Sequence, residues 1–182
     1  MPNSSTYLLL MAHFRFVTLW EIAAPREAVW DVLVDYEQWP TWWPSVKEIM
    51  ELEAGDPVTG IGQKSLFRWK TPLGYGFDFA TSTLEVTPPL LLVARAEGQI
   101  IGEGRWELTT TEQGTEVVYF WTVETTQHWM DWMASVMRPL MEWNHAATMR
   151  QGGKGLAKFM NSPLLRNEDI DSKLRDRNTS LV

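Results

Sequence analysis

The chain has 182 residues, 45% of them hydrophobic and 21% charged, with a formal net charge of −7. These values fit one globular domain that can bury a core without a staple, and they exclude collagen-like, coiled-coil and wholly disordered chains. The lack of cysteine removes thiol catalysis, thiolate metal sites and disulfides. The negative balance argues against nucleic acid and against an anionic membrane surface as partners.

The first residues do not read as an export signal, and none is expected. Met1 to Thr6 has no Lys or Arg, and the apolar run from Tyr7 to Ala12 is too short for a signal core. No stretch approaches the ~20 apolar residues of a membrane span. A cytoplasmic protein with no integral membrane segment is expected, and residues 1–12 read as an N-terminal extension.

From Phe14 the pattern alternates. Phe14, Phe16, Thr18, Trp20 and Ile22 share one face of a half-buried strand. Ala24-Pro25 ends it, and Pro25 suits the start of a helix, where its missing N–H costs nothing. Ala28, Val29, Val32 and Leu33 recur at helical spacing, which predicts a short helix to Val34. The segment Asp35 to Pro44 (DYEQWPTWWP) is too broken for a long helix and predicts a turn or short helix carrying a plate of aromatic rings.

Six strands are predicted next, near 46–54, 61–70, 75–87, 90–98, 102–111 and 115–126. Turn chemistry separates them: Gly55-Asp56-Pro57, Pro72-Leu73-Gly74, Pro88-Pro89, Gly98 and Gln113-Gly114. Connections this short join antiparallel neighbours. Gly102 and Gly104 predict a bulge or bend in their strand. The GxG they form opens no helix, so it is not a dinucleotide fingerprint.

The period then changes. Trp129, Met133, Val136, Leu140, Asn144, Ala147 and Gln151 fall on one side of a helix over 128–160. Pro139 interrupts this pattern and predicts a kink or an unpaired carbonyl. Gly152, Gly153 and Gly155 weaken the later turns or permit close backbone approach. Residues 161–182 are charge-rich with no apolar face, and a flexible polar tail is expected there. Strands followed by a helix that covers their dry face make a two-layer α+β domain over 13–160.

The segment IAAPREAVWDVLVDYEQWPTWWPSV resembles the opening of the START-like (SRPBCC) superfamily. The segments GEGRWELT, TEVVYFWTVETT and WNHAATMRQGGKGL resemble its polyketide cyclase/dehydrase-type branch. The likeness covers roughly residues 14 to 160. It implies a helix-grip fold, a seven-stranded antiparallel sheet wrapped around a long C-terminal helix, with two short helices after the first strand. It also implies an apolar cavity between sheet and helix that takes a lipid, sterol, polyketide or quinone, with cyclisation or dehydration in a minority of members.

Placed on that fold, the strand phases predict a wall of Phe67, Trp69, Phe77, Phe79, Trp106, Tyr119 and Trp121. The helix contributes Met133, Met137, Leu140 and Met141. Asn144 lies beside the centre of the apolar stripe. It is either a hydrogen-bonding handle for a ligand carbonyl or hydroxyl, or an amide satisfied within the protein. Tyr119 is the sole candidate general acid, weighed against a tyrosine that merely bonds the backbone. Gln63 is a further polar candidate inside the cavity, whereas Arg68 and Lys70 are expected in solvent.

Trp39, Trp42 and Trp43 form an exposed-looking plate near the cavity mouth, readable as lid, plug or partner site. Trp42 is counted among the ligand-binding residues. The helical phase points His145 to the outer or flanking side, and no two of His13, His128 and His145 have metal-ligand spacing. No metal or cofactor is implied.

The leading expectation is a binding protein for a hydrophobic small molecule. A cyclase/dehydrase-type enzyme and an interaction module using the tryptophan plate are the alternatives. Val17, Leu19 and Phe120 are expected to be exposed on the outer sheet face, which leaves the oligomeric state open.

Overall fold

Alternation, turn chemistry and the change to helical period resolve into eight strands and three helices in a computed structural model. It describes residues 13–125 and 128–170, and side chains over 14–123 and 139–170. Strand β1 (His13–Ile22) leads into helix α1 (Arg26–Val34), a 3-10 turn at Tyr36–Gln38 and the single-turn helix α2 (Trp39–Trp42). Strands β2 (Val46–Glu53), β3 (Lys64–Lys70), β4 (Gly76–Thr87), β5 (Leu91–Gly98), β6 (Ile100–Thr110) and β7 (Thr115–Thr125) follow. Helix α3 (His128–Phe159) and strand β8 (Leu164–Asp169) complete the order. The extension at 1–12 and the final residues 171–182 lie outside the described part.

The sheet runs β2-β3-β4-β5-β6-β7-β1-β8. Every neighbouring pair is antiparallel, as the short connections from β2 to β7 require of those strands. Its inner face meets α1, α2 and α3, giving the two-layer helix-grip arrangement expected from the sequence. No helix among the described residues is long and apolar enough to cross a membrane.

The tail expected from Asn161 is corrected at its first residues. Asn161 takes a left-handed conformation (φ 51) just past the end of α3, a common way to terminate a helix. The chain then turns back at Pro163, whose carbonyl accepts from the Ala23 N–H at 2.9 Å. Leu164–Asp169 pairs with β1 as an eighth strand. Arg166 holds it laterally through ion pairs with Glu116 of β7 (3.2 Å) and Glu21 of β1 (4.0 Å). Such a strand is polar because it forms the edge of the sheet, so it shows no apolar face.

Two further expectations change. Val17 and Leu19 are buried and Phe120 is half-buried, because cross-strand partners flank them on the outer face: Phe120 opposite Val17, and Val118 and Glu168 opposite Leu19. The β6–β7 register runs unbroken through Gly102 and Gly104, so these glycines make no bulge. Pro139 lies within the span of helix α3.

The core divides into a filled end and a hollow end. At the filled end Trp20, Ile22, Val29, Trp43, Val46, Val117 and Leu156 have almost no exposure. Helix α3 approaches α2 there through its glycines. A Cβ on Gly155 would stand 1.8 Å from the Trp42 carbonyl oxygen, and one on Gly152 would stand 2.5 Å from the Trp43 indole. Of the two sequence readings of these glycines, close approach is the one realised.

Gly155→Ala sets a helix-propensity gain of ~1 kcal/mol against overpacking onto backbone, which costs about 1–3 kcal/mol and has no flexible side chain to absorb it. A net loss of stability is expected by urea denaturation, with the Lys154→Ala control staying within about 0.5 kcal/mol of the parent.

Candidate functional site: an uncharged aromatic cavity

At the hollow end, sheet and helix enclose a cavity of about 660 Å³. Volumes of roughly 300–1,000 Å³ are those that take small organic ligands. Period-two strands place the wall. Phe67 and Trp69 come from β3, Phe77 and Phe79 from β4, Trp106 from β6, and Tyr119 and Trp121 from β7. All seven residues expected from the strand phases therefore line the space. Leu140, Met141 and Asn144 line it from α3 as expected, while Met133 and Met137 fall where side chains are not described.

The rings form two runs of parallel planes. Phe67–Phe79 and Phe77–Phe79 stack at 6.0 and 5.8 Å with planes 11° and 13° apart. Trp106–Tyr119 stacks at 4.0 Å and Tyr119–Trp121 at 6.1 Å. Gly104 makes room for the second run, since a Cβ there would lie 2.7 Å from the Tyr119 hydroxyl. That space accounts for a glycine in mid-strand.

The tryptophan plate is the plug of this cavity. Trp39, Trp42 and Trp43 are buried at 5%, 5% and 1% exposure, which removes the exposed partner surface. Trp43 packs against Trp20, Trp39, Trp42, Trp69 and Trp106, and its Nε1–H donates to the Thr148 carbonyl at 3.0 Å. Trp39 and Trp43 line the cavity floor. Trp42 does not, because its indole stacks behind Trp43 toward Gly155. Its assignment as a ligand-binding residue is corrected accordingly.

Gln63 is also corrected. Its Nε2 donates to Glu51 Oε2 at 2.8 Å outside the cavity. Arg68 is solvent-exposed as expected and pairs with Glu48 and Asp78.

Among the described lining residues there is no Asp, Glu, Lys or Arg, so the described wall is formally uncharged. Apart from Gln99, its described titratable and amide groups occupy two places. Tyr36 and Tyr119 stand on the floor; the sequence reading missed Tyr36, whose position depends on the 3-10 turn folding under β3. Burial raises the Tyr119 hydroxyl far above the usual phenol range, and the neighbouring Tyr36 adds to the effect. Burial pushes Tyr36 up to about 12, with Thr83 partly opposing. Both keep their protons at ordinary pH. They can therefore donate and accept hydrogen bonds, but Tyr119 is a weaker acid than a free phenol.

The second place is on α3. Asn144 is 6% exposed and its Nδ2 donates to the Tyr75 hydroxyl at 3.0 Å, tying the helix to the β3–β4 hairpin. His145 lines the cavity instead of pointing outward, with its ring stacked on Phe16 at 4.1 Å. The curved sheet reaches round the flank of the helix, which the helical phase alone does not reveal. Burial pushes the His145 imidazole down to about 3, so it is neutral.

The sign of that shift fixes a pH dependence. An imidazole held at about 3 in the fold and ~6.5 unfolded makes the unfolded state take up the extra proton. Stability is then full above ~6.5 and declines as pH falls toward about 3. Between pH 7 and 5, His145→Phe should lose less stability than the parent, by on the order of 1–2 kcal/mol. Urea midpoints at the two pH values check this.

Comparison with known proteins agrees with this geometry. The family model described as polyketide cyclase / dehydrase and lipid transport matches residues 13–159. No curated protein matches the chain. Among solved structures, the di-domain ARO/CYC StfQ from the steffimycin biosynthetic pathway is 16% identical with a TM-score of 0.61, covering 82% of this chain and 52% of that one. The di-domain ARO/CYC BexL from the BE-7585A biosynthetic pathway is 18% identical with a TM-score of 0.63, covering 80% and 49%. This chain thus spans about half the length of those two proteins. A protein of Thermus thermophilus is 19% identical with a TM-score of 0.63, covering 80% of this chain and 97% of that one. At these identities the structures share the fold, and the family model spans nearly the whole helix-grip domain. The chain belongs to the polyketide cyclase/dehydrase and lipid transport family of the SRPBCC superfamily.

Proposed function

We propose that this protein binds an uncharged hydrophobic small molecule between the sheet and α3. The family supports either hydrophobic-ligand binding or cyclase-type chemistry. The observation that favours binding is a cavity of about 660 Å³ walled mainly by aromatic and aliphatic side chains, with no formal charge among its described lining residues. Each 100 Å² of apolar guest surface taken from water there contributes about 2.5 kcal/mol. A charged guest would lose its hydration without gaining a counter-ion.

Acid–base catalysis at neutral pH works best with a group titrating near 7. Among the described titratable groups lining the cavity, burial holds His145 down at about 3, pushes Tyr36 up to about 12, and raises Tyr75 and Tyr119 above the usual phenol range. Those groups suit positioning a guest better than moving its protons.

Native mass spectrometry of freshly purified protein tests the proposal. The expected result is an added mass of roughly a few hundred daltons that disappears on denaturation. Ala94→Phe, which puts a ring into the cavity opposite Gly104, should abolish that added mass while leaving the far-ultraviolet circular dichroism unchanged. A single bare mass together with no uptake of the uncharged probe N-phenyl-1-naphthylamine would overturn the reading.

A further inference from the structure

The cavity opens at the end of the sheet where the β3–β4 and β5–β6 hairpins turn. Leu73 and Tyr75 of the first hairpin, Gln99 and Ile100 of the second, and Leu140 of α3 line it there. Leu73, Tyr75 and Leu140 are also exposed, at 42%, 48% and 40%, and so is Trp143 at 51%. Trp143 lies three residues beyond Leu140 on the same side of α3. The hydrogen bond from Asn144 to Tyr75 brings the hairpin against the helix at this point, which gathers the four side chains into one rim. Single exposed apolar residues are ordinary, but four around the opening of an apolar cavity mark a surface built to be covered.

Strand β1 begins at this same end. His13 pairs with Glu124 of β7, and Ile100 pairs with Thr125, so the start of β1 stands level with the β5–β6 turn. The residues before it, MPNSSTYLLLMA, lie outside the described part and hold no charged side chain. Five of them in a row, Tyr7 to Met11, are aromatic or aliphatic, and left in water they forgo the burial such side chains favour. Between β1 and β4 lie four strand spacings, about 19 Å along the sheet. Residues 7–12 span about 20 Å when extended, so the run reaches the β3–β4 hairpin with β1 in place. The other end of the chain is a poorer match. Asp171, Lys173, Arg175, Asp176 and Arg177 crowd residues 171–182, and the described wall offers them no counter-ion.

We propose that Tyr7–Met11 folds back across the opening and covers it, with its apolar side chains set against Leu73, Tyr75, Leu140 and Trp143. The docking stands on the apolar rim and on the reach of the chain. Its consequence, slower entry of a guest, rests on the reading of the cavity as a binding site.

The chain has no cysteine, so Ser5→Cys takes a single nitroxide label two residues ahead of the run. In a nitrogen–proton correlation spectrum the label should broaden the amide signals of Leu73, Gly74, Tyr75 and Trp143, and spare Ala23 at the filled end. Leu8→Ser combined with Leu10→Ser should abolish that broadening and leave the rest of the spectrum unchanged. Broadening that is absent from the parent, or that survives the two serines, would overturn the docking. Broadening of the rim by a label at Ser180→Cys instead would overturn it in favour of the C-terminal segment. Broadening seen only between labelled and unlabelled copies would overturn it in favour of a second molecule.

Stopped-flow uptake of N-phenyl-1-naphthylamine reads the consequence. A cover shut about nine-tenths of the time slows association about tenfold, so the double-serine variant should take up the probe about tenfold faster than the parent. Equal rates would overturn the gate, with the docking still decided by the label. No uptake by either protein would overturn the binding reading and the gate together, and again leave the docking to the label.

Discussion

The structure depends on how Trp43 is seated against α3. Its indole lies where a Cβ on Gly152 would stand, and its Nε1–H donates to the carbonyl of Thr148 on the same helix. One side chain thereby sets the distance between α2 and α3 and joins the ring contacts of Trp20, Trp39, Trp42, Trp69 and Trp106. Aromatic pairs at such separations add roughly 0.5–1.5 kcal/mol each beyond the area they bury, so this cluster is a concentrated source of cohesion. It also fixes where the packed core stops. Beyond Trp43 the helix is held away from the sheet, and the cavity is the space that remains.

A hollow of this kind costs stability, because atoms facing empty space lose contacts that close packing would supply. Unpaired buried polar atoms on the lining residues Trp69, Asn144 and His145 add a desolvation cost of about 1–3 kcal/mol each. Both costs are offset when a guest of matching shape and polarity occupies the space. The wall is suited to such a guest because burial keeps its ionisable groups neutral: His145 without its extra proton, Tyr36 and Tyr119 with theirs. A neutral low-dielectric enclosure strengthens each hydrogen bond formed inside it and disfavours any charge that enters.

Much of this was legible before folding was considered. Alternation from Phe14 to Ile22, turn residues at near-regular spacing and the change of period after Thr126 predicted the order of strands and helices. Strand phase, placed on the fold that the resemblance implies, assigned Phe67, Trp69, Phe77, Phe79, Trp106, Tyr119 and Trp121 to the cavity wall, since side chains two apart on a strand share a face. Asn144 was marked by being an amide within an apolar stripe. The strand β8 was not legible, because an edge strand held by main-chain pairing and by Arg166 carries no apolar alternation. A helix-ending Asn161 followed by Pro163 was the available sign of the turn that precedes it.

Sequence by itself determined the local periodicities, the turns, the uncharged character of the inward-facing strand positions and the family. These are properties of neighbours along the chain, and period two or 3.6 suffices to read them. Tertiary structure alone decided which tryptophans plug and which line. Trp42 and Trp43 are adjacent and equally apolar, and only the approach of Gly152 and Gly155 separates their roles. It also turned His145 from a flank to a wall and brought Tyr36 beside Tyr119, from opposite parts of the chain. The physical reason is the curvature of the sheet around α3, which arises from long-range pairing and packing and leaves no periodic mark at any single residue.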